Sequence, residues 1–157
     1  MRLLRAMVAV LALTLALVAC DSGTAQPSDP PSSGPPKDSV EAFQSFSGLT
    51  IPATAEDVSV RVVGTSAEQP EYLVTFTVPS SAVDDFAVSG GMQRPLRVTT
   101  IPASVRERFD YQGDSSTGAV VAEASLPADV SIQRQLLAIG TKTATSTVYV
   151  SASKLPA

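Results

Sequence analysis

Few side chains in this chain could do chemistry. Its 157 residues include no histidine and one cysteine, Cys20. Without an imidazole, Ser-His-Asp and Cys-His catalysis and every histidine-bearing zinc or haem site are excluded. A single thiol can close no internal disulfide and build no thiolate metal cluster. Carboxylates, hydroxyls, lysines and arginines remain. Ser151-Ala152-Ser153-Lys154 has the S-x-x-K spacing that sets a lysine one helical turn from a serine nucleophile. Here it falls in a predicted strand tail, where positions three apart face opposite sides, and no S-D-N or K-T-G accompanies it. Asp84-Asp85 and Glu56-Asp57 are adjacent acids. Neighbours on a helix point about 100° apart, whereas acid-base pairs need carboxylates facing one site. No catalytic residue is assigned, so the chain is read as a non-enzyme without cofactor or metal.

Two loops resemble ligand sites in part. The acids of Asp110-Tyr111-Gln112-Gly113-Asp114-Ser115 suit a hard cation, but their spacing departs from the helix-loop-helix calcium pattern. Gly140-Thr141-Lys142-Thr143 lacks the upstream glycine and the Gly-Lys order of a phosphate loop and reads as a hairpin turn. One asymmetry stands out. Arg94, Arg97, Arg106 and Arg108 fall within 15 residues. Guanidinium groups suit carboxylates and phosphates, so these four are the candidate anion contact. The competing expectation is that they scatter over a loop and a helix face, paired with Glu107 and Asp110.

The thiol has a more specific reading. Arg2 and Arg5 precede an apolar run from about Met7 to Val18, and Leu17-Val18-Ala19 leads directly to Cys20. A charged start, a short apolar stretch and a small-residue cleavage site make a signal peptide, and the apolar stretch falls short of the roughly 20 residues a spanning helix needs. Leu17-Val18-Ala19-Cys20 resembles the lipobox of bacterial lipoproteins. That resemblance implies a diacylglycerol on the Cys20 thiol and cleavage before it. The absence of Asn, with eight arginines against three lysines, suggests a high-GC genome; the chain as a whole resembles small actinobacterial lipoproteins. Two or more acyl chains hold stably at a bilayer where one holds marginally.

These residues need elements to position them. Asp21 to Ser39 has five prolines, five serines and two glycines in 19 positions and no large apolar side chain, so it is predicted to be a disordered linker. It would span about 25 Å when flexible and up to about 60 Å when extended. The expected organisation is a signal peptide over 1–19, the lipidated cysteine and linker over 20–39, and one small domain over 40–157. Asp38 with Glu41 predicts a capped helix ended by Gly48. Alternation at Val58, Val60 and Val62, then at Tyr72, Val74, Phe76 and Val78, predicts a hairpin. Ser81 with Asp84 caps a second helix, closed by Gly90-Gly91, and Ser104 with Glu107 suits a further capping box. Leu96 to Thr100 could form a short strand; Ala119 to Leu126 has β-type content. Ile132 to Ile139 and Thr145 to Ala152 look like a final hairpin, although Leu136 to Gly140 also suits a helix. Ile51-Pro52-Ala53 before Asp57-Val58-Ser59-Val60 is echoed by Leu126-Pro127-Ala128 before Asp129-Val130-Ser131-Ile132. The expected fold class is α+β: an antiparallel sheet of four to five strands with one or two short helices, the Ser81 to Ser89 helix covering one face.

From Cys20 onward the chain carries 9 basic against 15 acidic residues, a formal charge of −6 with an acylated N-terminus. Such a balance disfavours nucleic acid. The expected role is that of a lipoprotein on the outer face of a bacterial plasma membrane, its partners being the membrane itself through the anchor and an envelope protein or cell-wall polymer bound without catalysis. Two alternatives are a hydrolase or transferase using only carboxylates and a structural or chaperone-like accessory of a membrane complex.

Overall fold

Alternating burial organises the domain. In the computed structural model, which describes residues 37–63, 69–113, 118–124 and 131–155, Tyr72, Val74, Phe76 and Val78 are buried on one side of a strand while Leu73, Thr75 and Thr77 lie half-buried on the other. The expected signal peptide, lipobox, linker up to 36 and second Pro-Ala motif lie outside the described residues. The described residues belong to a unit spanning Ser33–Ala157.

The elements run α1 (Val40–Ser47), β1 (Glu56–Val62), β2 (Glu71–Pro79), α2 (Ala82–Ser89), β3 (Leu96–Val98), α3 (Ala103–Phe109), β4 (Ala119–Glu123), β5 (Ile132–Ile139) and β6 (Thr145–Lys154). The strands form one antiparallel sheet in the order β1-β2-β6-β5-β4-β3. The α+β class and both predicted hairpins are present. The described residues hold six strands and three helices rather than four to five and one or two: Leu96–Val98 pairs with β4, and each of the three capped segments is helical. Leu136 to Ile139 is strand, because β6 supplies a full-length partner.

The helices cover both faces, which corrects the expected single-sided cover. α1 and α2 place Phe43, Val83, Phe86 and Ala87 on the face carrying Phe76, Leu136, Val148 and Val150. α3 places Val105 and Phe109 against Leu137, Ala119 and Tyr149 on the other. The cause lies in the strands: Val120 and Val121, Leu136 and Leu137, and Val148 and Tyr149 put apolar groups on both sides, so each side needs a lid.

Three caps differ from expectation. The N-cap of α1 is Ser39, whose Oγ accepts from the Ala42 amide at 3.2 Å; Asp38 reaches instead to the sheet edge, where Oδ1 accepts from the Val62 amide at 2.7 Å. Ser81 has helical backbone angles and makes no side-chain cap bond. Nor does Ser104 open α3: the helix starts directly after Pro102, which occupies the N-cap position, so Ser104 lies within the first turn. Gly48, at φ 67°, does end α1 in the left-handed region that glycine tolerates.

Candidate functional site

α3 crosses only part of its face, so an open cleft of 530 Å³ remains between it and the β1-β2 end of the sheet. The hairpin register builds the sheet wall. Arg61 lies opposite Leu73, and the Val63 amide donates to the Glu71 carbonyl at 2.9 Å. Because side chains on antiparallel partners share a face, Arg61, Leu73, Val63 and Glu71 all line the cleft. The helix wall consists of Ser104, Glu107 and Arg108, with Asp110 just past the last turn. Val105 and Phe109 are the buried side of α3, which turns these polar positions toward the opening.

Arg108 Nη1 donates to Glu71 Oε1 at 2.8 Å, with the two side chains 34% and 29% exposed. This pair ties the helix to β2 across the cleft. Asp110, left-handed at φ 47°, caps α3, and its Oδ1 accepts from Gln112 Nε2 at 3.2 Å. Arg61 and Glu107 are exposed and have no side-chain hydrogen bond or ion pair among the described residues. The cleft thus presents two guanidinium groups and three carboxylates over an apolar floor. No cluster of three metal-ligating groups occurs among the described residues.

The four arginines singled out by spacing go to different places. Arg94 lies 3.9 Å from Asp84 at the surface. Arg97 is exposed on edge strand β3, opposite Val120. Arg106 Nη1 donates to the Gly113 carbonyl at 3.1 Å, with its guanidinium 5.8 Å from the centre of the Tyr111 ring. Of the four, Arg108 alone lines this cleft, and its partner is Glu71 rather than Glu107 or Asp110. Arg94 lines a smaller pocket of 250 Å³ on the other side of α3, with Leu96, Val121 and Glu123. Sequence reasoning missed Arg61. Its signal was present in the strand alternation, which turns Arg61 away from Val60 and Val62, but the helix facing it was not foreseen.

Ser151 is 2% exposed within β6, and Lys154 lies at its exposed end on the opposite face. Thr143 Oγ1 donates to the Gly140 and Thr145 carbonyls at 2.6 and 2.7 Å, closing the last hairpin. Asp110 to Gly113 of the acidic loop are described; Asp114 and Ser115 lie outside the described residues. Beside the α3 core, Tyr149 stacks near Phe109 and Tyr111, with ring centres 6.0 and 5.8 Å away. Burial, and secondarily the neighbouring Tyr111, raises the Tyr149 hydroxyl above its ordinary value of 10.0. Comparison with protein-family models, curated proteins and solved structures finds no match.

Proposed function

We propose that the chain is an exported lipoprotein, held at the outer face of a bacterial plasma membrane by lipid on Cys20, and that its domain is a non-catalytic binding module. The observation that carries the anchor is the position of the sole cysteine directly after Leu17-Val18-Ala19, at the end of a short apolar run opened by Arg2 and Arg5. Among the described residues no helix is long and apolar enough to cross a membrane, and the reading needs none. The cleft beside α3 supports binding: it is open and has unpartnered charges of both signs.

A carboxylate-only enzyme draws support from the three acids lining one cleft. Glu71 is paired with Arg108 and Asp110 Oδ1 accepts from Gln112 Nε2, which favours the binding reading over this one. A chaperone-like surface needs a contiguous apolar patch; among the described residues the large exposed apolar side chains are Val58 on β1, Val63 just after it, Val88 on α2, Leu96 on β3 and Leu155 after β6.

Membrane fractionation of the wild type beside Cys20→Ala, in a bacterial host that processes lipoproteins, tests the anchor. The wild type is expected in the membrane fraction and the variant in the soluble extracytoplasmic fraction. Equal release of both would refute it.

A further inference from the structure

We infer that the α3 cleft binds a short zwitterionic peptide, its free carboxylate on Arg61 and its free ammonium on Glu107. The inference rests on reading the domain as a binding module.

Some of the charges lining the cleft are already paired. Arg108 and Glu71 pair at 2.8 Å across the cleft, while Asp110 Oδ1 accepts from Gln112 Nε2 at 3.2 Å, a neutral donor that leaves its negative charge at the helix wall with that of Glu107. Arg61, from the sheet wall, and Glu107, from the helix wall, line the same cleft without pairing with each other or with another described side chain. An anion alone would meet Glu71, Glu107 and Asp110 as well as the guanidinium groups. A cation alone would meet Arg61. A ligand with one charge of each sign complements both walls, and complementary placement of charge is what gives selectivity. The guanidinium fork matches a carboxylate in two parallel hydrogen bonds. Between the walls, Val63 and Leu73 supply an apolar floor for small side chains. The volume of 530 Å³ falls within the range of small-molecule sites, about 300–1,000 Å³. That is ample for a di- or tripeptide.

Calorimetric titration of the mature lipidated protein in detergent, at low salt, tests this with dialanine and trialanine beside their N-acetylated and C-amidated forms. The free peptides are expected to bind, and blocking either end to weaken binding about tenfold or more, the scale of one charge-assisted hydrogen bond. Arg61→Ala should reduce free-peptide binding to the level of the C-amide without further weakening the C-amide. Glu107→Gln should do the same for the N-acetyl form. Arg94→Ala, whose partner is Asp84 outside the cleft, should change nothing. Both cleft positions are exposed, and unchanged melting of the variants verifies the fold. Blocked peptides binding as tightly as free ones would overturn the zwitterion while leaving the cleft a binding site. Absence of heat with every peptide would also overturn it; the fate of the anchor is decided separately by fractionation.

Discussion

Arg134 carries its guanidinium from β5 to the ends of two helices. Nη1 donates to the Gly90 carbonyl at 3.1 Å, and a methyl added at Gly48 would lie 3.2 Å from Nη2. Both glycines close helices whose C-terminal carbonyls carry partial negative charge, where a cation is favourable. Arg134→Met keeps the apolar stem and removes the cap, so urea denaturation should show a loss of about 1 kcal/mol. Nothing in the local sequence Gln133-Arg134-Gln135 marks this role, because Gly48 and Gly90 reach the residue only through the fold. Tyr149 gives a pH prediction. Its hydroxyl is raised above 10.0 by burial, so the folded state keeps a proton that the unfolded chain has released. Stability from this group is whole below pH 10 and falls as pH rises through the folded value. Tyr149→Phe should flatten that alkaline fall in pH-dependent denaturation; an equal fall in both proteins would remove Tyr149 as its source.

Among the described residues strand β1 is one edge of the sheet, and two devices blunt it. Asp38 takes the Val62 amide, and the register slips between Glu56 and Ser59, where Asp57 sits at φ 54°. An unpaired edge is a template for self-association, and a covering side chain and a bulge both obstruct it. Asp38→Ala should cost about 1 kcal/mol and add concentration-dependent association by sedimentation; a strictly monomeric variant would show that the bulge suffices. The strands were legible because apolar side chains at every second position have few other ways to be buried. Helix starts were less so. Asp38 and Ser39 are both good caps, and local sequence cannot say that Val62 will claim one of them. Ser104 met the same limit, since Pro102 before it already fixes where α3 can begin.

Across the whole molecule, one sheet serves two cores. Phe76 and Leu136 pack beneath α1 and α2, while Leu137 and Ala119 pack beneath Val105 and Phe109 of α3. Adjacent residues Leu136 and Leu137 thus belong to opposite sides, which couples the cores through the strand itself. Phe76→Ala should lower stability by about 3–5 kcal/mol, and Phe109→Ala should lower the same single transition rather than create a second one; two separate calorimetric peaks would contradict the coupling. The four-residue spacing of Val105 and Phe109 puts them on one helix face but does not say which side of the sheet receives it. The cleft was therefore not legible from the four clustered arginines: Arg108 reaches it, while Arg61 arrives from another element. The anchor is a different kind of claim, carried by a contiguous tetrapeptide. Its most direct measurement is mass spectrometry of the N-terminal peptide from membrane-extracted protein. The expected product is a peptide beginning at Cys20 with a diacylglycerol-sized increment on that residue; a mature terminus elsewhere, or an unmodified Cys20, would refute the anchor.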